Sequence, residues 1–423
     1  MKVLLVSHAD GGGGAAIAAN RLLRAMQKEH IDSQMFVLRK TTDNPQVKQV
    51  VNGGWQKVMS GIRRKLARAI IKQQQTENMV LHSPAIFRSG LADCINASNV
   101  DVVNLHWICE EMISIEEIAK IKKPLVWTLH DTWPFCGAEH YYDSINDRVL
   151  RFKQGYLDDN RPVGHKGWDI DRLIWQRKLK AWKHKKIHLV APSQWMANQA
   201  KDSILFHDQR VSVVPNGLCL NVFKPYDKNF ARGVWNLPQD KKLILFGAVN
   251  GASDPRKGFD YLRQSLNKLA EQDVSSDVDA VIFGGGELNI HIHNDIRMNV
   301  HNVGVVKDEA NLALLYAASD LFVTPSTQDN YPNTLLEAMA CGLPCIGFRI
   351  GGIPEIINHG VNGFLASPFS TDELVKYMTL LLISAQSNII SNDMRKSARK
   401  SAEDRNAEHL FAQRMMAIFD SML

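Results

Sequence analysis

Residues 321–342 read LFVTPSTQDNYPNTLLEAMACG, which is an apolar strand, a polar loop and then a helix that starts near Asn333. The strand is apolar throughout instead of alternating, as is typical of strands buried on both faces of a parallel sheet. A helix that follows such a strand is the usual crossover between parallel neighbours. The stretch therefore predicts one β/α unit of a doubly wound sheet.

The same kind of unit recurs in two sets along the chain. Further apolar strands are predicted at residues 3–6, 102–105, 125–128, 187–191 and 211–214, and at 243–246, 280–283 and 344–348. Two sets of β/α units predict an α/β protein with two doubly wound domains, although periodicity alone leaves a closed barrel open. Residues 215–238 are turn-rich and have no strong apolar period, so we expect domains at 1–215 and 216–404.

The composition is that of an ordinary globular protein. Hydrophobic residues make up 45% and charged residues 22% of the 423 residues, and the net charge of +6 is too small to predict a nucleic-acid partner. Six scattered cysteines without a CxxC pair argue against a zinc site or a disulfide framework. Residues 1–8 turn polar too early for a signal peptide, and no apolar run approaches the roughly 18 residues of a membrane-spanning helix. We therefore expect a cytoplasmic protein.

Two segments of the first domain are candidates for ligand contact, because ligands of open α/β sheets bind beyond the carboxyl ends of the strands. Four glycines at residues 11–14 follow the first strand. They allow a ligand to approach the backbone beside a helix N-terminus that attracts anions, and a flexible turn is the alternative. His130 follows the third predicted strand, where it can bind a sugar hydroxyl or an anion, or serve as a structural residue.

The second domain has a denser set of candidates. Arg256 and Lys257 lie in a turn shaped by proline and glycine, which suits a diphosphate, although a solvated pair of cations is the alternative. Glycines 284–286 and Glu287 follow the next strand. Asp329 and Glu337 lie on either side of the helix start, which is itself suited to phosphate.

These segments, in this order, resemble the signature of glycosyltransferase family 4. The match includes residues 325–342, the GGIPE of 351–355 and the VPNG of 214–217, and it extends from Val3 to about Phe364. The resemblance implies the GT-B fold, in which two Rossmann-like domains face a cleft and a C-terminal helix, at about residues 405–423, crosses back to the first domain. It also implies a retaining enzyme that binds its acceptor in the first domain and a nucleotide sugar in the second.

The resemblance further implies roles for individual residues. Glu337 would hold the ribose, Asp329 would approach the donor sugar, and Lys257 would stabilise the departing diphosphate. The implied catalytic residues are His130, Arg256, Lys257 and Asp329. The implied donor-binding residues are Gly12, Gly13, Gly14, Gly286, Glu287, Val305, Val306, Asn330, Tyr331, Asn333, Thr334 and Glu337.

Three positions depart from the family's pattern. Asp329 replaces a glutamate and is one methylene shorter, and Pro332 replaces a frequent glycine and removes a backbone N–H. The arginine that usually follows the first strand of the second domain is absent, since Ala248 stands there. Arg256 is the candidate to compensate for it.

We expect no metal and no other cofactor. Lys257, Arg256 and the helix end at Asn333 can neutralise the diphosphate of a UDP- or GDP-sugar without a metal ion. Asp169 and Asp171 have the DxD spacing with which other glycosyltransferases bind manganese, but this pair is interpreted as the acidic start of a helix. The sequence does not distinguish front-face attack from a transient covalent intermediate.

Residues 55–72 contain six basic side chains and no acid, an excess equal to the net charge of the chain. Six apolar residues recur near helical spacing in this segment: Trp55, Val58, Met59, Ile62, Leu66 and Ile70. The pattern is typical of a helix on an anionic membrane surface, and the alternative is a helix that packs its apolar stripe on the first domain. A second cationic stretch, residues 178–186, adds slight support for the membrane.

Together these features predict a glycosyltransferase that moves a hexose or N-acetylhexosamine to a lipid-linked saccharide in O-antigen, capsule or exopolysaccharide synthesis. Its partners would be the donor, the acceptor and the inner face of the cytoplasmic membrane, with no nucleic acid. A sugar-nucleotide epimerase on the same fold and a non-catalytic scaffold that binds sugar nucleotides are the alternatives.

Overall fold

The computed structural model describes residues 1–51, 53–143, 150–247, 254–272, 275–284, 295–384 and 387–423. The chain divides into two compact units. Unit 1 consists of Met1–Pro215 together with Phe411–Leu423, and unit 2 consists of Asn216–Leu410. Each unit contains one large parallel sheet with helices around it.

Unit 1 is built on a seven-stranded parallel sheet with the strand order β3-β2-β1-β5-β6-β8-β9, and a small antiparallel pair, β4-β7, lies apart from it. The strands are β1 Lys2–Ala9, β2 Asp32–Arg39, β3 Val47–Gln49, β4 Gln74–Gln75, β5 Val102–Leu105, β6 Leu125–Thr128, β7 Lys166–Gly167, β8 His188–Ala191 and β9 Val211–Val213. The helices are Gly14–Lys28, Gly54–Ile71, Leu91–Ala97, Ile115–Lys120, Arg151–Gln154, Ile170–Trp182 and Gln194–Asp202.

The last helix of the chain, Glu408–Asp420, contributes to the core of unit 1. Its apolar side chains Phe411, Met415 and Phe419 are buried in the same cluster as Val3 and Leu22. Each of these side chains removes a large apolar area from water, which is the main favourable term in forming such a layer. The C-terminal helix thus returns to the first domain, as the fold class predicts.

Unit 2 has a six-stranded parallel sheet with the strand order β12-β11-β10-β13-β14-β15. Its strands are β10 Lys242–Gly247, β11 Val278–Phe283, β12 Val300–Gly304, β13 Leu321–Thr324, β14 Cys345–Phe348 and β15 Gly363–Ala366. Its helices are Lys228–Trp235, Phe259–Ala270, Glu309–Ala318, Asn333–Ala340, Ile353–Ile356, Thr371–Leu382 and Ser387–Asn406, and there are 3-10 turns at Pro255–Lys257 and Ser275–Asp277.

The structure confirms two doubly wound parallel sheets, and the closed barrel is excluded because both sheets are open. One detail of the predicted organisation is wrong, because the stretch 215–238 contains the helix Lys228–Trp235, which begins at the N-cap Asp227. The C-terminal helix predicted at about 405–423 corresponds to the helix Glu408–Asp420. Ala407 lies between this helix and the preceding one, Ser387–Asn406, and pairs with Leu218 as an isolated β-bridge.

The order of the strands in each sheet indicates where a ligand-binding crevice is expected. In each sheet the order reverses between two neighbouring strands, β1 and β5 in unit 1 and β10 and β13 in unit 2. Loops that leave such a pair diverge to opposite faces and open a crevice at the carboxyl edge. The glycine loop follows β1, whereas Lys257 and Asp329 follow β10 and β13.

Candidate functional site

Lys257 and Asp329 form an ion pair at the switch point of unit 2. The Lys257 Nζ lies 2.7 Å from the Asp329 Oδ2, and 25% and 10% of the two side chains are exposed. A cation and a carboxylate thus meet where a ligand of this fold binds, although 72 residues separate them in the chain. The structure brings together the two residues that the resemblance placed at the diphosphate and the donor sugar.

Local chemistry fixes the turn that presents Lys257. Asp254 caps it, accepting a hydrogen bond from the Arg256 backbone N–H at 3.1 Å and pairing with the Arg256 guanidinium at 2.6 Å. Gly258 has a φ of +68°, and a Cβ there would lie 1.8 Å from the carbonyl oxygen of Pro325. The Thr327 N–H donates to the Arg256 carbonyl at 2.7 Å. The two loops are therefore fastened together, and only glycine fits at the point of closest approach.

A second glycine turn supports Asp329 from the other side. Gly351 has a φ of +58°, and a Cβ there would lie 2.0 Å from the Asp329 carbonyl oxygen. The next residue, Gly352, donates its N–H to that oxygen at 3.1 Å. The GGIPE segment therefore holds the backbone from which the Asp329 carboxylate projects.

Glu337 lies inside the helix Asn333–Ala340 and is buried. The hydroxyl of the fully buried Tyr316 donates to its Oε2 at 3.0 Å. A carboxylate so far from solvent needs such donors, because an unpaired buried charge is costly. Tyr316 was not predicted from the sequence.

The residues around the helix start belong to a network of side-chain amides. Asn333 accepts a hydrogen bond from the Asn216 amide at 3.1 Å, and Asn406 donates to the Asn216 carbonyl at 2.9 Å and to the Tyr331 hydroxyl at 3.4 Å. Asn330, which precedes Tyr331 in the sequence, is buried, and Thr334, which follows Asn333, is half-buried. The loop before the helix is thus tied to the segment with which unit 2 begins.

The remaining candidates of unit 2 lie at its edge. Val305 and Val306 follow β12, and Val305 is exposed whereas Val306 packs against the core. Gly304 accepts a hydrogen bond from the Gly284 N–H at 2.8 Å, which joins the ends of two neighbouring strands. Gly286, Glu287 and Ala248 lie outside the described residues.

In unit 1, hydrogen bonds to Asp10 hold the glycine loop. The Asp10 carboxylate accepts from the backbone and hydroxyl groups of Thr41 and Thr42, at 2.5 to 3.0 Å. Burial raises the pKa of Asp10, but these hydrogen bonds outweigh it and keep the pKa below its usual value. Gly12 has a φ of +88°, and Gly13 is the N-cap of the helix that begins at Gly14. The loop is therefore anchored at its base.

His130 lies two residues after β6 and is half-buried. Its Nε2 lies 2.9 Å from the Nδ1 of the buried His106, and the two rings are stacked. Burial lowers the pKa of His130 to about 4, against a smaller opposing effect of Asp131, so the imidazole is neutral near pH 7. The side chain therefore has a specific partner that the sequence analysis did not find.

A buried Ser–His–Asp arrangement lies beside His130. The His140 Nδ1 is 2.5 Å from the Asp131 Oδ2, and its Nε2 is 2.9 Å from the Ser83 Oγ. Trp107 also donates to Asp131, at 2.9 Å. Because only 2% of Ser83 is exposed, the hydroxyl is out of reach of a substrate, and the arrangement fixes the loop after β6.

The DxD pair is structural. Asp169 is the N-cap of the helix Ile170–Trp182, accepting from the Arg172 N–H at 3.0 Å, and it pairs with Arg151 at 2.6 Å. Asp171 is buried and accepts from the Gln74 amide at 2.6 Å. In the part of the chain that the structure describes, no group of three or more His, Cys, Asp or Glu side chains is arranged to hold a metal ion.

The helix Gly54–Ile71 exposes its apolar stripe. Trp55 is 75% exposed, Val58 54%, Ile62 42% and Leu66 48%. At the other two positions of the stripe, Met59 is half-buried and Ile70 packs against the core of unit 1, so the stripe packs on the first domain only in part. Over the described ranges, no helix is long and apolar enough to cross a bilayer.

The second cationic stretch does not support a membrane surface as predicted. Its first lysine, Lys178, is fully buried, and its ammonium group donates to the carbonyls of Trp133, Cys136 and Gly137. Trp182 is also buried. These two side chains belong to the core of unit 1.

Comparison with known protein families agrees with the geometry. A family model described as glycosyltransferase family 4 matches residues 12–222, and one described as glycosyl transferases group 1 matches residues 240–384. The chain belongs to these glycosyltransferases. The predicted family is confirmed.

Relatives of this chain include the D-inositol 3-phosphate glycosyltransferase of Mycolicibacterium paratuberculosis, which is 26% identical over 269 residues. That alignment covers 60% of the chain and 55% of the relative. The corresponding enzyme of Mycobacterium bovis is 24% identical over 254 residues, and that alignment covers 57% of this chain and 48% of the relative. The chain thus spans about half the length of these relatives.

Solved structures resemble the fold of this chain over its whole length. Sucrose-phosphate synthase from Thermosynechococcus elongatus has a TM-score of 0.68 at 15% identity, covering 100% of this chain and 99% of that one. HepE from Anabaena, solved in complex with UDP-glucose, has a TM-score of 0.65 at 16% identity, with 100% of both chains covered. WaaG, a glycosyltransferase involved in lipopolysaccharide biosynthesis, has a TM-score of 0.61 at 14% identity, with 99% of both chains covered. At these identities the comparison shows the fold alone, which is GT-B.

Proposed function

We propose that the protein is a retaining glycosyltransferase that moves a hexose or N-acetylhexosamine from a UDP- or GDP-sugar to a saccharide acceptor. The observation on which the proposal rests is the Lys257–Asp329 ion pair at the switch point of unit 2. A nucleotide sugar brings a diphosphate for the ammonium group and hydroxyl groups for the carboxylate. The HepE complex with UDP-glucose supports a donor of this class.

The proposed chemistry follows from charge. As the sugar departs, negative charge develops on the diphosphate, and a preorganised cation aimed at that charge lowers the barrier. Lys257 supplies the cation, and Asp329 keeps it in place until the diphosphate competes for it. Glu337 would accept hydrogen bonds from the ribose. The scheme uses no metal ion, because Lys257 and the amides at the start of the helix Asn333–Ala340 would neutralise the charge of the diphosphate.

Retention requires attack on the face from which the diphosphate leaves, or two successive inversions. We propose the first course, in which a phosphate oxygen of the departing group takes the proton of the acceptor hydroxyl. The acceptor would bind in unit 1, near the glycine loop and His130. Synthesis of a bacterial surface polysaccharide from a lipid-linked acceptor is the setting that we propose.

The exposed stripe of the helix Gly54–Ile71 supports a lipid-linked acceptor. Trp55, Val58, Ile62 and Leu66 would enter the boundary between headgroups and acyl chains, while the exposed cations Lys57, Lys65, Arg68 and Lys72 would meet anionic lipid. We therefore propose peripheral binding to the inner face of the cytoplasmic membrane.

The enzymatic proposal is tested by mixing the full chain with a panel of UDP-, GDP- and ADP-sugars. A matching donor raises the melting temperature by mass action, and transfer is then measured with and without lipid-linked acceptors. We expect Lys257→Ala to lower kcat far more than donor affinity. Turnover of the donor sugar without an acceptor would indicate an epimerase instead, and binding without turnover would indicate a scaffold.

The membrane proposal is tested by flotation with vesicles of anionic phospholipid. We expect the wild type to float and a variant with Trp55→Ser and Ile62→Ser to remain in the dense fraction. The matched control replaces, with glutamate, three exposed lysines of the other basic stretch, Lys180, Lys183 and Lys186. Equal flotation of the wild type and the stripe variant would contradict membrane binding through this helix.

A further inference from the structure

The position of the His130 proton can be read from a chain of buried hydrogen bonds. The Thr128 hydroxyl donates to the Asn104 Oδ1 at 3.1 Å, and the Asn104 Nδ2 lies 3.1 Å from the His106 Nε2. The His106 Nδ1 lies 2.9 Å from the His130 Nε2. Thr128, Asn104 and His106 are each no more than 2% exposed, so water does not compete for these contacts.

Each contact fixes the next one. A neutral imidazole has one nitrogen that donates and one that accepts, whereas an amide nitrogen can only donate. The His106 Nε2 therefore accepts from Asn104, which leaves the His106 proton on Nδ1. That N–H donates to the His130 Nε2, and the proton of His130 is consequently on Nδ1.

We infer that Asn104 and His106 are positioning residues that hold His130 as the neutral Nδ1–H tautomer. In this form the Nε2 lone pair is committed to His106, so the ring cannot act as a general base through that atom. The polar contact that His130 offers a ligand is then that of a hydrogen-bond donor. The tautomer is inferred without reference to the proposed function. Only the identity of the ligand, an oxygen atom of the donor sugar, rests on the proposed function.

Burial supports the neutral state of both rings. It keeps the pKa of His106 well below its usual value, with a smaller contribution from His130, and it lowers the pKa of His130 to about 4. Neither ring gains a second proton near neutral pH. The tautomer is therefore expected to stay the same between pH 6 and pH 9.

The first test is a long-range proton–nitrogen NMR correlation on the full chain with ¹⁵N-labelled histidine and no ligand. We expect both His106 and His130 to show a protonated Nδ1 and an unprotonated Nε2, and the signals of the His130 ring are those that disappear in His130→Gln. The same pattern is expected at every pH from 6 to 9. A proton on the Nε2 of this ring, or a titration within that range, would overturn the inference.

The second test changes the start of the chain of contacts. Thr128→Val keeps the shape of the side chain but removes the hydroxyl, so that the Asn104 amide can turn over and both tautomers of His130 become populated. Thr128→Ser keeps the donor and is expected to give the wild-type spectrum. A Thr128→Val spectrum identical to that of the wild type would show that the Thr128 hydroxyl does not orient the Asn104 amide, and would remove Thr128 from the relay.

Asn104→Asp is expected to invert the relay. The introduced carboxylate accepts from the His106 Nε2, so the His106 Nδ1 becomes an acceptor and the His130 proton moves to Nε2. Loss of the donor contact to the sugar would then lower kcat/KM about tenfold, as for one hydrogen bond. An unchanged His130 spectrum in this variant would contradict the relay. If the variant does not fold, the position of the His130 proton in the wild-type spectrum still decides the question.

The spectra test the tautomer and the enzyme assays test the proposed function, so either of the two can be contradicted without the other. The expected tautomer in a protein that transfers no sugar would contradict the proposed function and leave this inference standing. Transfer activity with the proton of His130 on Nε2 would contradict this inference alone.

Discussion

The Lys257–Asp329 ion pair leads to a quantitative prediction. Both side chains are partly shielded, at 25% and 10% exposure, so the pair lies between an exposed ion pair and a buried one. Exposed pairs contribute about 0.2–1 kcal/mol, and breaking buried ones costs about 3–5 kcal/mol. We therefore expect a coupling energy of about 1–3 kcal/mol between Lys257→Met and Asp329→Asn in a double-mutant cycle.

The measurement is calorimetric unfolding of the four proteins with and without saturating UDP. At about 2–4 °C of melting temperature per kcal/mol, the coupling is well above the error of the method. With UDP bound, the Lys257 ammonium turns to the diphosphate, so we expect the coupling to fall towards zero. A coupling that UDP leaves unchanged would show that Lys257 stays on Asp329 and does not serve the diphosphate.

A matched pair controls for general electrostatics. Lys268 and Asp372 lie 2.6 Å apart in the same unit, but 45% and 85% of their side chains are exposed. The same double-mutant cycle on this pair is expected to give less than about 1 kcal/mol. That value should be the same with and without UDP.

Three further predictions concern single positions. Tyr316→Phe removes the donor to the buried Glu337 carboxylate, so we expect a loss of stability of about 1.5–3 kcal/mol and weaker UDP binding, measured by calorimetry. Gly258→Ala places a Cβ 1.8 Å from a backbone carbonyl oxygen at positive φ, so we expect a loss of at least about 2 kcal/mol in urea unfolding. Burial, with the nearby Asp171, raises the pKa of Glu139 from 4.5 to about 8, so the folded state favours the protonated form. The stability that Glu139 contributes is therefore complete below pH 4.5 and is lost as pH rises through 8. We expect this loss to be measured as a melting temperature that falls with pH.

Each of these predictions has a control. Tyr377→Phe removes a hydroxyl from a tyrosine that stacks on Phe364 in the same unit, and it is expected to leave UDP affinity unchanged. Gly360→Ala tests positive φ alone, because no atom lies within 4 Å of its added Cβ; a cost equal to that at Gly258 would contradict the steric explanation. Glu139→Gln is expected to flatten the fall in melting temperature between pH 5 and pH 8, and an unchanged slope would assign it to other groups.

Much of the fold was predictable because strands buried on both faces are continuous apolar runs. The predicted strands at 102–105, 125–128 and 321–324 match β5, β6 and β13 residue for residue. Four strands of the two large sheets were missed, and three of them, β3, β12 and β15, are at sheet edges. Two of these edge strands bury little of their surface, one residue of three in β3 and none of five in β12, so their sequences lack the apolar run. All four residues of β15 are buried, so this reason does not apply to it.

The site was predictable only where its residues follow a strand in the linear pattern. Lys257 and Asp329 meet that condition, whereas Tyr316 contacts Glu337 from the last turn of another helix, Glu309–Ala318. His106 could have been found. It directly follows β5, the parallel neighbour of β6, so the sequence already placed it at the same sheet edge as His130.

The return of the last helix to unit 1 has a consequence for synthesis of the chain. Phe411, Met415 and Phe419 complete a core layer of the unit that leaves the ribosome first. Unit 1 therefore cannot complete its core, and part of its apolar surface stays uncovered, until all of unit 2 has been translated. Unit 2 is continuous in the chain and can finish folding as soon as it emerges. The order in which the units are completed is thus the reverse of the order in which they are made, and any delay in translating residues 216–410 prolongs the exposure of unit 1 to aggregation.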